Sequence, residues 1–187
     1  MSEFLNERQK AFLLDLARKA VTAAATGGPT VEPATADPVM LAKRGAFVTL
    51  KVGGELRGCI GYPLPYKPLA ETVAGMAVAA ATQDTRFEPI ASADLALLEI
   101  EISVLTLPRP VADVKEIVVG RDGIIVSQGH RSGLLLPQVP TEYGWDLETY
   151  LRHGCLKAGL PPGAWKTGAK IEVFEAQVFS EAHGAGG

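Results

Sequence analysis

The sequence predicts an α+β protein with largely antiparallel sheets and packed helices. Strand-forming runs meet across short glycine turns, so neighbours in sequence are expected to pair as hairpins. Segments with helical periodicity are few and do not alternate one for one with the strands, unlike a doubly wound chain. The 187 residues fit a single domain with room for two lobes.

The hairpin from Ala46 to Gly61 is the stretch around which the rest is organised. AFVTLKV and ELRGCI flank Gly53-Gly54, which can take the positive φ angles of a two-residue turn. Val48–Val52 should therefore pair antiparallel with Glu55–Ile60. Strand alternation puts Leu56, Gly58 and Ile60 on one face and Glu55, Arg57 and Cys59 on the other.

Before the hairpin, Asn6 and Gln9 form a capping-box pair. Phe12, Leu13, Leu16, Ala20, Val21 and Ala24 recur at helical spacing, predicting a helix from about Glu7 to Ala25 that Gly27-Gly28-Pro29 ends. Pro29 to Pro38 lacks periodicity and reads as a surface connection.

After the hairpin, Pro63 and Pro65 stiffen a turn, and Pro68 suits the first turn of a second helix. That helix carries Leu69, Val73, Met76, Ala77 and Ala80 and stops at Gln83-Asp84. Asp84–Pro89 is a loop. Leu97–Leu107 is a strand, with Leu98, Ile100, Ile102 and Val104 on one face and Glu99, Glu101, Ser103 and Leu105 on the other.

Ile117 to Leu136 reads as a meander, in which Ile117–Val119 is a strand and Asp122-Gly123 a hairpin turn. Asp146 caps a helix with Leu147, Leu151, Cys155 and Ala158 on one face, stopped by Gly159. Lys170–Phe179 alternates as a final strand, and residues 181–187 read as a disordered tail.

Eighteen basic against 21 acidic residues give a net charge of −3, which argues against a nucleic-acid partner. No apolar run approaches the ~18 residues of a membrane span. Met1 to Lys10 is polar, without a secretory signal, and the two cysteines do not make a disulfide framework. The expected location is the cytoplasm. No metal-ligand spacing and no phosphate-binding glycine motif is present, so neither metal nor cofactor is called for.

Chemistry is suggested mainly at Arg57, Gly58 and Cys59. A cation beside Cys59 would favour a thiolate and make it a candidate nucleophile. A nucleophile also wants a base, and the histidines are His130 in a turn, His153 on a helix and His183 in the tail. The plainer reading is that Cys59 packs as a small hydrophobe while Arg57 pairs structurally, for instance with Glu101. Arg86 and Arg131, both in loops, could hold an anionic ligand, and His130 could join them.

LRGCIG (Leu56–Gly61) resembles the signature of the AMMECR-one domain family. DTRFEPI (Asp84–Ile90), EISVL (Glu101–Leu105), GRDGIIV (Gly120–Val126), GLLLPQV (Gly133–Val139) and GWDLETYLRHGCLKAGLPPGAW (Gly144–Trp165) match the same family in the same order. The resemblance implies a two-lobed α+β fold with the LRGCIG strand near a cleft between lobes. It implies no particular reaction. It does imply a pathway shared with Memo-type and radical-SAM proteins, acting on a nucleobase or other small molecule. Two functions follow: an enzyme or enzyme partner centred on Cys59 and Arg57, or a non-catalytic binding or adaptor module using the same cleft.

Overall fold

Asn6 accepts a hydrogen bond from the Gln9 backbone N–H at 2.9 Å, and the Gln9 side chain accepts one from the Asn6 N–H at 3.0 Å. This reciprocal cap opens α1 (Glu7–Thr26), which ends at Gly27 in the left-handed region. The computed structural model describes residues 4–181. Of the predicted tail, residues 181–187, only Glu181 is described, where it pairs with Arg18 and accepts from the Ile100 N–H; the remainder, with His183, lies outside the described residues. They form two compact units: residues 4–105 with 177–181, and Thr106–Ala176.

In the first unit the predicted hairpin forms as β1 (Ala46–Val52) and β2 (Glu55–Tyr62), with Gly53 and Gly54 at φ +59° and +83°. β1 pairs antiparallel on its other side with β3 (Leu98–Leu105), and β2 is an edge strand. A short 3₁₀ turn (Ser92–Leu97) precedes β3. α1 and α3 (Leu69–Thr82) cover one face. Val48, Leu50, Ile100 and Ile102 are buried there against Leu13, Ala17, Val73 and Ala77. Gln177, itself buried, accepts from the Leu5 N–H and donates to the Leu5 carbonyl, holding the start of the chain to residues 177–181.

Two features of this unit differ from the sequence reading. A short helix not expected from the sequence, α2 (Pro38–Leu41), begins at the last residue of the predicted surface connection: Asp37 accepts from the Val39 N–H at 2.8 Å, and Met40 is buried. Four residues are too few for apolar periodicity to reveal. The second difference is a bulge in β2. Leu50 faces Gly58 and Lys51 faces Leu56, leaving Arg57 without a counterpart. The extra residue reverses the alternation, so Leu56 joins Lys51, Thr49 and Cys59 on the face away from the helices and is exposed, instead of sharing the core face with Ile60.

The second unit holds β4 (Arg109–Pro110), β5 (Asp122–Gln128), β6 (Arg131–Leu135) and the portion of β7 (Lys170–Ser180) up to Ala176. β5 pairs antiparallel with both β6 and β7, and β4 pairs with β7. α4 (Val139–Tyr143) and α5 (Leu147–Lys157) follow, the latter capped by Asp146 as predicted. Tyr150 and Leu151 of α5 are buried with Ile124 and Val126, and the Tyr150 hydroxyl donates to the Asp122 carbonyl at 3.0 Å.

Asp122-Gly123 is not a hairpin turn, and Ile117–Val119 is not a strand. The turn comes earlier, at Gly120 (φ +91°), and β5 begins at Asp122. Gly123 is a glycine for packing: a side chain there would run into the Phe174 ring. Cys155 is fully buried on the apolar face of α5. It is expected to resist alkylation until the unit unfolds; rapid labelling of the native protein at Cys155, read by peptide mass mapping, would contradict this packing.

Candidate ligand-binding site on strand β2

An edge strand leaves a row of backbone N–H groups without partners. Along β2 the segment after α3 returns to meet them. The Cys59 N–H donates to Asp84 Oδ2 at 2.9 Å. Arg86 forks onto the same carboxylate, Nε to Oδ1 at 2.9 Å and Nη2 to Oδ2 at 2.7 Å. The Arg86 N–H also reaches Oδ1, at 3.2 Å. Asp84 thus joins the two motif blocks that carry Cys59 and Arg86. The Arg86 fork, then the Cys59 amide, hold its carboxyl far below the usual carboxylate range. Arg86 is held correspondingly high by its bonds to Asp84.

Arg86 is fixed but not enclosed. Its side chain is 58% exposed, whereas that of Asp84 is 6% exposed. The guanidinium lies 5.1 Å from the centre of the Phe87 ring. The Cys59 sulfur accepts a hydrogen bond from Thr49 Oγ1 at 3.1 Å. Gly58, between Arg57 and Cys59, faces the opposite way, where the helix backbone at Ala80 leaves no space for a side chain.

Arg57 does not pair with Glu101. Because it sits at the bulge, its guanidinium turns along the edge, to Asp94 at 3.4 and 3.5 Å and to the Glu88 carbonyl at 3.4 Å. Asp94 is lowered in pKa first by the Ala91 N–H and further by Arg57. Glu101 does share a face with Cys59, since Thr49 lies between them in the ladder, but its cation is Lys51, at 3.9 Å. The sheet therefore gathers Arg57, Gly58, Cys59 and Arg86 along one edge, with Glu101 two strands over. His130 and Arg131 belong to the second unit, at the β5–β6 turn, where Arg131 donates to the Gly159 carbonyl. His153, also there, stacks on Trp145 at 3.9 Å.

Asp84, Asp94 and Thr49 were not singled out by sequence reasoning. The Asp-x-Arg spacing of Asp84 and Arg86 was a usable signal, since a carboxylate two residues before an arginine can accept from its backbone and side chain together. Among the described residues no His/Cys/Asp/Glu group could hold a metal ion, and no helix is long and apolar enough to cross a membrane.

Two variants test this geometry. Arg57→Ala is expected to cost about 1 kcal/mol, because its contacts are long and partly exposed. Asp84→Asn should cost more, about 1.5 kcal/mol, through the lost charge-assisted bonds from exposed Arg86. The folded pKa of Asp84 lies below its unfolded value, so its contribution is full above that value, about 4, and is lost as pH falls below it. Urea midpoints against pH should show this acid-side loss in the parent and a smaller one in Asp84→Asn.

An antiparallel sheet with helices on one face and a charged, cysteine-bearing edge strand defines the class: an α+β protein with its candidate site on β2. The AMMECR1 family profile matches residues 14–179, and the chain belongs to that family. It is 48% identical to protein MK0488 of Methanopyrus kandleri over 97% of this chain and 92% of that protein. It is 50% identical to protein MJ0810 of Methanocaldococcus jannaschii over 74% of each. The crystal structure of uncharacterized protein PH0010 from Pyrococcus horikoshii matches with a TM-score of 0.76 at 41% identity, covering 94% of this chain and 93% of that one.

Proposed function

We infer that the chain is a binding protein for a small ligand with an anionic or nucleobase-like planar group, received at the Cys59–Asp84–Arg86 cluster. One observation supports this reading above the others. Arg86 is clamped by Asp84 and set beside Phe87, yet more than half of its side chain faces solvent. An ordinary surface arginine loses rotamer entropy when it grips a ligand, and a pre-fixed one loses far less. Its planar guanidinium suits both a bidentate oxyanion and a stacked ring. Cys59 and Arg57 flank it as contact residues, with Glu101 as a more distant one. A shared pathway with Memo-type and radical-SAM proteins belongs to this proposal as the source of the ligand.

The test is native mass spectrometry of the purified chain for a copurified small molecule, followed by binding of that molecule to two variants. Arg86→Ala should abolish binding and Cys59→Ser should retain it. Binding that persists in Arg86→Ala would displace the site. Chemical conversion of the molecule by the parent but not by Cys59→Ser would make the protein an enzyme. Recovery of a protein partner that Arg86→Ala loses, with no small molecule, would favour the adaptor reading.

A further inference from the structure

A guanidinium carries five N–H donors in one plane. Asp84 takes two of those of Arg86, the Nε–H and one on Nη2, along one side of the group. Three remain without a partner among the described residues, two on Nη1 and one on Nη2. One from each nitrogen points the same way off the end of the group, so the fork that meets Asp84 leaves a second fork beside it. The Asp84 side chain is 6% exposed and that of Arg86 is 58% exposed. The part of Arg86 that faces solvent is therefore the part turned away from Asp84, which carries this second fork.

The second fork is held in one direction. The Asp84 carboxylate fixes the guanidinium through both oxygens, the Arg86 N–H ties the backbone to Oδ1, and the Phe87 ring lies 5.1 Å from the guanidinium carbon. Asp84 accepts a fourth bond from the Cys59 N–H, which makes two on each oxygen and fills its acceptor sites. Ligand selection at this point falls to the Arg86 fork. A planar fork fixed beforehand favours two acceptors lying side by side in its own plane.

Charge decides which acceptors those are. Each arginine on this edge already has a carboxylate, Arg86 with Asp84 and Arg57 with Asp94. Glu88, whose carbonyl accepts from Arg57, adds a third acid to the two cations. An oxyanion brought to Arg86 would meet no net positive charge in this group and would be repelled by Asp84 behind the guanidinium. An uncharged pair of acceptors escapes that repulsion.

We propose, resting on the site inferred above, that its ligand is a 6-oxopurine whose neighbouring O6 and N7 acceptors take the free fork of Arg86. That pair of atoms is the commonest base-specific contact of arginine in DNA recognition. Adenine carries an amino group in place of O6 and would set donor against donor.

The test is calorimetric titration of the full chain with inosine, 7-deazainosine, adenosine and benzoate at low and at high salt. Inosine is expected to bind saturably and with little dependence on salt, because it is uncharged. The 7-deaza analogue lacks the N7 acceptor and should bind about tenfold more weakly or worse, through one lost hydrogen bond to a charged group. Adenosine should not bind. Arg86→Lys keeps the charge but not the fork, so it should lose inosine as fully as Arg86→Ala does. Four results would each overturn the 6-oxopurine and leave the Arg86 site standing: inosine retained by Arg86→Lys but not by Arg86→Ala, equal binding of inosine and its 7-deaza analogue, tighter binding of benzoate than of inosine, or no binding of inosine. Inosine bound equally well by Arg86→Ala would overturn the site too. The comparison of analogues uses the parent chain alone, so it decides the matter even where a variant fails to fold.

Discussion

Gly58→Ala is expected to destabilise the first unit by about 3 kcal/mol or more, at the upper end of overpacking changes. A Cβ at Gly58 would run into the carbonyl of Ala80, with the Ala80 carbonyl carbon at 2.9 Å and its Cα at 3.4 Å. These are backbone atoms of α3, so no side-chain rotation relieves the contact. Either β2 moves out along its edge, breaking the Cys59 amide bond to Asp84, or α3 lifts from Val48 and Leu50. Gly58→Val should be worse. Gly75 supplies the control, because it lies on the exposed side of the same helix with no atom within 4 Å of a built Cβ. Gly75→Ala should stabilise by about 1 kcal/mol, the helix-propensity difference. Urea unfolding of the three proteins reads both signs, and a Gly58→Ala midpoint equal to the parent's would show that α3 does not lie against β2.

Gly58 also marks where the sequence stops being legible. The small residue in LRGCIG was visible, but the helix that requires it was not, because the contact joins residues 22 positions apart across two elements. Local signals were read correctly where the chemistry is local. The Asn6–Gln9 cap, the Gly53-Gly54 turn and the Asp146 cap each lie within a few residues. The bulge at Arg57 was not readable, since a one-residue slip depends on how Lys51 and Leu50 meet the partner strand. Uninterrupted alternation led to the expected Arg57–Glu101 pair; with the slip, Arg57 turns along the edge to Asp94 instead. Asp122-Gly123 failed for the opposite reason: a good turn dipeptide was overridden by the need to fit Phe174. In the candidate site Cys59 and Arg86 were each named, but the carboxylate that joins them belongs to a loop folding back on a strand edge.

Arg121→Met is expected to destabilise the second unit by about 3 kcal/mol at neutral pH, the low end for breaking a buried pair, because Arg121 is itself one-third exposed. Asp122 is 1% exposed, accepts both 2.8 Å bonds of the Arg121 fork, and takes the Val118 N–H at 2.8 Å. Burial pushes its carboxyl pKa up, but the Arg121 fork and the Val118 amide outweigh that, and the folded value lies below the ordinary one. The parent therefore gains stability from Asp122 at neutral pH and loses it as pH falls below the unfolded value of about 4. Without Arg121, burial, the largest of these causes, faces only the Val118 amide and the charge of Arg109, and the folded pKa should rise above the unfolded one. The sign then reverses: the variant loses stability as pH rises past about 4 and recovers part of it when acid protonates the buried carboxyl. Melting both proteins between pH 3 and 8 should give a gap that narrows toward acid. A gap independent of pH would mean that the loss comes from packing of the arginine stem and not from the charge stranded at Asp122.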